Sequence, residues 1–378
     1  MPLNILIVCR SFYPVKSARS LRATELALEL KQKGHEVTVL TPFRDGQEEW
    51  QRQHAIQLVD LGQQKWSEIE LKGGRIQMLF RKILKRLASM LFDYPSVELV
   101  FKINRALAKQ KGYEVLISIA VPYAIHWGVA SRWSTKKPNE NPAKIWIADC
   151  GDPYYGRQND SFRILPHFAI VEKWFMRKAD VISIPIEGAR NRYFTEFHEK
   201  IQVIPHGFRF PERTQLPTKK DTDITCPYFI YSGDMGTVLH QSRALFKALR
   251  AIPDDFRFRI YTQNIDFVKQ EANDLIQAGK IELFTYIDRM ELLEELAKVD
   301  FLVAFKPKHL SQVPSKLIDY SYIGKPILYF GIDGNVRDIY HFISGDYSEQ
   351  LNKLDIEPFK IHNVVNQFLK VFDETIKK

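Results

Sequence analysis

The sequence predicts an α/β protein of two domains, each built on a doubly wound parallel sheet. Three observations carry this expectation. The chain has 378 residues, too many for one ordinary core and suited to two. Short apolar runs rich in β-branched residues alternate with stretches of helical periodicity, the rhythm of parallel sheets covered by helices on both faces. That rhythm breaks between Pro205 and Pro227, a segment with four prolines, Gly207 and the polar run 218–223, and then restarts.

The first run, Ile5-Leu6-Ile7-Val8-Cys9, is continuous and apolar, as a strand buried on both faces must be. Leu21, Leu26, Leu28 and Leu30 give helical spacing over 21–33, and Gly34 stands where a helix C-cap favours glycine. Residues 37–40 read as the next strand. Further strands are expected at 115–120, 144–148, 181–184 and 202–204, and helices at 76–91, 97–111, 168–178 and 187–194. After the break, strands at 228–231, 256–261, 281–284, 301–305 and 326–330 alternate with helices at 241–250, 266–278, 290–298 and 314–323. A last helix is expected at 361–376. The expected organisation is a first domain over 1–205, a linker over 206–226 and a second domain over 227–356. The C-terminal helix in 357–378 is a candidate to cross back to the first domain.

Composition narrows the function. Hydrophobic content of 45% with 26% charged residues is that of a globular protein. Cys9, Cys150 and Cys226 are odd in number and lack metal-ligand spacing, which fits a reducing compartment and argues against a disulfide framework. The N-terminus shows no basic n-region, and no run reaches the roughly 18 apolar residues of a membrane span. The expected location is cytoplasmic, including the inner face of the cell membrane. A net charge of +9 attracts the phosphates of nucleotides, anionic lipids or nucleic acid. Nucleic acid is disfavoured because no RNP-like aromatic pattern, zinc-finger spacing or recognition helix accompanies the charge. A dinucleotide cofactor is disfavoured because no G-x-G-x-x-G follows a strand.

Four ordered segments then carry a resemblance. The first is Arg10-Ser11-Phe12-Tyr13-Pro14 with Arg22-Ala23-Thr24-Glu25-Leu26-Ala27 and Gly34-His35-Glu36-Val37-Thr38-Val39-Leu40-Thr41. The second is Ile147-Ala148-Asp149-Cys150-Gly151-Asp152-Pro153-Tyr154. The third is Ile201-Gln202-Val203-Ile204-Pro205-His206-Gly207-Phe208. The fourth is Val313-Pro314-Ser315-Lys316-Leu317-Ile318-Asp319-Tyr320, ending Gly324-Lys325-Pro326-Ile327-Leu328. In order and spacing the chain resembles the retaining GT-B glycosyltransferase family of bacterial surface-polysaccharide synthesis, the family 4-like group. The resemblance implies two Rossmann-like domains facing a cleft. It also implies a nucleotide sugar as substrate, no metal and no other cofactor.

The residues can be read physically beside that resemblance. Proline suits the first turn of a helix, and the free N–H groups there favour an anion. Ser315 and Lys316 therefore stand where a diphosphate leaving group needs stabilisation. Asp319, one turn on, is implied to hold ribose. The bland alternative is a helix start with a solvated lysine. Asp149 and Asp152 end an apolar strand; either they serve the acceptor side as catalytic carboxylates, or they cap a turn before Pro153. Lys16, Ser17 and Arg19 form a candidate acceptor or phosphate loop, the alternative being the N-cap of the next helix. Gly233 and Asp234 follow the first strand of the second half, where glycine permits close backbone approach. Tyr286 and Ile287 match a family loop lying against the nucleotide base. The chain also departs from the family. Members commonly carry two glutamates here; Ser311 stands at the first position and the shorter Asp319 at the second. Asp234 and His240 replace a basic pair, leaving Arg243 or Lys316 to supply the charge.

One helix stands apart. Ile76, Leu79, Phe80, Ile83, Leu84 and Leu87 form an apolar stripe, Arg75, Arg81, Lys82, Lys85 and Arg86 cover the opposite side, and no acid occurs from Lys72 through Arg86. Residues 72–91 can thus lie on an anionic membrane surface, or the stripe packs on the sheet as in an ordinary domain helix. The leading expectation is transfer of a sugar from a nucleotide donor to a glycan or lipid-linked glycan, with retention. The alternatives are an inactive membrane-associated binding subunit and a nucleotide-sugar epimerase.

Overall fold

The structure is a computed structural model describing residues 2–15, 17–66, 74–151, 153–156, 164–217, 226–306 and 314–377. The chain forms two compact units: Met1–Arg209 with Pro358–Lys378, and Phe210–Glu357.

Unit 1 runs β1 (Asn4–Cys9), α1 (Ala18–Gln32), β2 (Glu36–Thr41), α2 (Gln47–His54), β3 (Gln57–Asp60), α3 (Arg75–Phe92), α4 (Glu98–Leu107) and β4 (Tyr113–Ile119). It continues with α5 (Ala124–Arg132), β5 (Ala143–Asp149), α6 (His167–Lys178), β6 (Val181–Ile184) and β7 (Ile201–Val203). Its strands pair in parallel in the order β3-β2-β1-β4-β5-β6-β7. Unit 2 runs β8 (Tyr228–Ser232), α7 (Leu239–Arg250), β9 (Arg257–Tyr261), α8 (Ile265–Gln277), β10 (Ile281–Phe284) and α9 (Arg289–Ala297). Then come β11 (Phe301–Phe305), α10 (Ser315–Ile323), β12 (Ile327–Phe330) and α11 (Val336–Ile343). Its parallel order is β10-β9-β8-β11-β12. The chain ends in α12 (Ile361–Ile376).

The continuous apolar strands have the expected cause. Alternate side chains of β1 enter separate cores: Ile5, Ile7 and Cys9 on one face, Leu6 and Val8 on the other. In unit 2, Phe229 and Tyr231 of β8 separate in the same way from Tyr228 and Ile230. Successive strand side chains point to opposite faces, so a sheet covered on both sides needs apolar residues at every position. Helix α12 buries Ile361, Val364, Val365 and Phe368 with the first of these cores, so the chain end belongs to unit 1.

Residues 206–209, expected in the linker, are also held in unit 1. A Cβ at Gly207 would stand 2.6 Å from Ile361 Cδ1, and Arg209 pairs with Glu25 and Glu29 at 3.1 and 3.2 Å. Elements that the sequence did not announce are α2, β3, α5 and α11. Helix α2 is nearly all polar and gives the core mainly Trp50, whose ring meets Phe12 edge-on. Helix α5 is buried from Ala124 to Ala130; an all-buried helix has no polar face to mark its period. The helix expected at 187–194 is instead a short 3-10 turn over Glu187–Arg192 with only Ala189 buried.

The apolar stripe of α3 does not pack on the sheet. Ile76, Leu79, Phe80, Ile83, Leu84, Leu87, Leu91 and Phe92 are all exposed. No helix of the described residues is long and apolar enough to cross a membrane.

Candidate functional site

In a doubly wound sheet, ligands sit beyond the carboxyl ends of strands where the order reverses. In unit 2 that point lies between β8 and β11. The backbone after β8 turns at Gly233 with φ +145, a conformation open to glycine. Lys316, the second residue of α10, reaches back over this turn. Its Nζ donates to Tyr231 Oη at 2.9 Å and lies 4.1 Å from the centre of that ring. A Cβ at Gly233 would stand 2.5 Å from Nζ, so a side chain here would push the lysine aside as well as strain the turn. The turn is pinned from below by Ser232 N–H, which donates to the buried Tyr320 hydroxyl at 2.9 Å. Asp234 accepts from Gly236 N–H at 2.7 Å and from the Asn264 amide.

Burial pushes the Lys316 ammonium down to about 8, with only the charge of Asp234 opposing it. No carboxylate among the described residues forms an ion pair with Lys316. A half-buried charge without a close counter-charge is costly, and the first-turn N–H groups of α10 lie beside it. The pair of features suits a phosphate. Ser315, exposed, opens the same turn. Tyr286 is half-exposed, and the charge of Asp234 reaches its hydroxyl. Ile287 packs into the core face beneath.

Asp319 sits one turn beyond Lys316. Burial raises its pKa, opposed by Arg289, whose Nη2 donates to Asp319 Oδ1 at 2.5 Å. Sequence alone assigned Arg289 no role, although it stands two residues beyond Ile287 in the loop that matches the family. Arg243, expected among the donor contacts, is committed elsewhere. Its Nε and Nη2 donate to Glu271 Oε1 at 3.0 and 2.7 Å on an exposed face of α7 and α8.

In unit 1 the structure changes the reading of Asp149. Expected as a catalytic carboxylate or a turn cap at a strand tip, it is 1% exposed. Arg22 donates from Nη2 to Oδ1 at 2.7 Å and from Nε to Oδ2 at 2.8 Å, and Ser183 adds a bond of 2.6 Å. Burial alone would raise the Asp149 pKa; Arg22 and Ser183 outweigh it and hold the carboxyl below the usual range. Arg22 also donates to Pro205 O at 2.5 Å, so the pair joins α1, β5, β6 and the segment after β7. Asp149 is thus placed as a structural anion rather than a substrate contact. Asp152, Lys16 and Ser311 lie outside the described residues.

Ser17 caps α1, its Oγ accepting from Ser20 N–H at 3.2 Å. Arg19 rests on the tip of β5, where a Cβ at Gly151 would fall 1.9 Å from Nη2. The sequence reading gave no role to His206. Burial pushes it down to about 3, aided by Arg22 and Arg19, so it is neutral. Beyond β5, the buried Glu172 accepts from Tyr154 and Tyr155 N–H at 2.9 Å each. Tyr154 Oη donates to Asp93, the C-cap of α3, at 3.0 Å. Tyr154 is therefore fastened to the end of α3.

Comparison with known proteins gives the class of fold. A glycosyltransferase from Rickettsia africae ESF-5 superposes over 100% of this chain and 99% of its own, with a TM-score of 0.65 and 14% identity. The lipopolysaccharide outer core galactosyltransferase WaaB, in its apo form, matches over 98% and 99% at TM-score 0.57 and 13% identity. The UDP-GlcNAc 2-epimerase of Methanocaldococcus jannaschii matches over 98% and 100% at TM-score 0.56 and 10% identity. No protein-family model and no curated protein matches the sequence. The two parallel-sheet units are those of the GT-B fold.

Proposed function

We propose that the protein transfers a glycosyl group from a nucleotide sugar to an acceptor hydroxyl. The observation that carries this is Lys316, a half-buried cation at the start of α10, seated over a glycine turn at the strand-order reversal of unit 2. Breaking the bond between sugar and diphosphate places negative charge on the leaving oxygen. Lys316 and the α10 N–H groups stabilise that charge without a metal. Asp319, steadied by Arg289, serves ribose, and Tyr286 lies against the base. Asp152 serves the acceptor side. Retention at the sugar carbon, and a place in polysaccharide, capsule or lipopolysaccharide assembly, rest on the family resemblance. The acceptor is a glycan or lipid-linked glycan met at the inner face of the cell membrane.

The test is turnover of UDP, GDP, CMP and dTDP sugars with and without glycan acceptors. Nucleotide release that requires an acceptor supports the proposal. Conversion of the donor alone marks an epimerase, the activity of one structural neighbour. Nucleotide binding with no turnover marks a binding subunit.

A further inference from the structure

Helix α3 is built inside out for a domain helix. At ~100° per residue, Leu79, Ile83, Ile76, Leu87, Phe80, Leu91 and Leu84 fall within an arc of about 140°. Those side chains are 43% to 85% exposed, and no described residue of the helix is buried. Met78, Arg81, Lys85 and Ala88, on the other side, are half-buried, as is Met90 within the apolar arc near the end of the helix. The helix therefore rests on unit 1 by its basic side and turns its apolar side outward. Exposed Lys82 and Arg86 border the apolar arc, and the helix contains no acid.

A second apolar group adjoins its end. Tyr94, two residues past α3, stacks on Trp66 at 5.9 Å, and Trp66 meets Phe101 at 6.4 Å. Trp66 is 42% and Phe101 63% exposed. Exposed apolar side chains in this number mark an interaction site. A cation-bordered apolar helix with tryptophan and tyrosine beside it has the chemistry of a bilayer interface.

The geometry points to a peripheral membrane anchor in unit 1: the outward face of α3, flanked by Trp66, Tyr94 and Phe101, inserts at the headgroup level of an anionic bilayer. Leucine and phenylalanine side chains enter the acyl boundary while Lys82 and Arg86 meet lipid phosphates. The anchor is independent of the transfer reaction and stands or falls without it.

Vesicle flotation of the full chain tests it, using phosphatidylcholine vesicles with and without about one-third phosphatidylglycerol. The wild type should float with the anionic vesicles at low salt and lose part of that binding at high salt. Leu79→Gln/Ile83→Gln/Leu87→Gln should weaken vesicle binding by at least about tenfold while leaving the thermal midpoint of the lipid-free protein unchanged or higher. Trp66 emission, assigned by comparison with Trp66→Phe, should shift to the blue on vesicle binding. The proposal is overturned if the wild type ignores anionic vesicles or if the triple variant floats equally well. It is also overturned if sedimentation shows a stable lipid-free dimer that the same substitutions dissolve.

Discussion

Replacing Lys316 by methionine removes a charge that unit 2 holds away from water. The fall of its pKa from 10.5 to about 8 corresponds to about 3 kcal/mol of lost solvation, at ~1.4 kcal/mol per pKa unit. The sign follows from linkage. The unfolded lysine holds its proton more tightly than the folded one, so the charged form costs stability below about pH 8. That cost fades as pH rises from about 8 towards 10.5. A diphosphate beside Nζ reverses the shift, because an anion favours the ammonium. Nucleotide affinity should then fall as the free protein loses this proton, by about tenfold between pH 7 and pH 9. Lys316→Met should lower affinity at pH 7 by about 10- to 100-fold, the worth of a charge-assisted hydrogen bond. It should also abolish the protein's share of the pH dependence and raise unliganded stability by about 1–3 kcal/mol. Calorimetric titration at both pH values, with the variant as control for ionisation of the nucleotide itself, measures this. Equal pH dependence in wild type and variant would refute the assignment of Lys316 to the diphosphate.

Other expectations concern neighbouring residues. Gly233→Ala places a Cβ 2.5 Å from Lys316 Nζ at a φ of +145; nucleotide binding should be lost and stability should drop by about 1–3 kcal/mol in urea denaturation. Asp149→Ala leaves Arg22 buried without its partner and should cost about 3–5 kcal/mol, whereas Asp152→Asn should stop transfer with no loss in the same denaturation assay. Asp319→Asn removes the partner of Arg289 and should weaken nucleotide binding by about tenfold at constant pH. A calorimetric affinity equal to wild type would remove Asp319 from the site.

The fold was legible because the central buried strands β1, β4, β5, β8 and β11 write continuous apolar runs, whereas the short edge strand β3, Gln57–Asp60, does not and was missed. Elements without that signature were not legible: α2 is polar, and α5 is apolar on every side. Position at a strand tip made Asp149 a catalytic candidate. It could not show that Arg22, distant in sequence, folds onto the same carboxylate. The same limit hid the Arg289–Asp319 pair and the commitment of Arg243 to Glu271. Lys316 was legible as a helix-start cation, but its burial over Tyr231 depends on the Gly233 turn, which one sequence shows only as a glycine. For α3, the period revealed an apolar stripe. Only the structure shows that the stripe faces outward.

The most direct test of the account is a thermal-shift screen of the wild type and Lys316→Met against UDP, GDP, CMP and dTDP sugars. One nucleotide class should raise the wild-type midpoint, by about 2.7 kcal/mol of stabilisation at a hundredfold excess over Kd, and the variant should lose most of that shift. No shift with any of the four, or an equal shift in the variant, would contradict a nucleotide-sugar site built on Lys316.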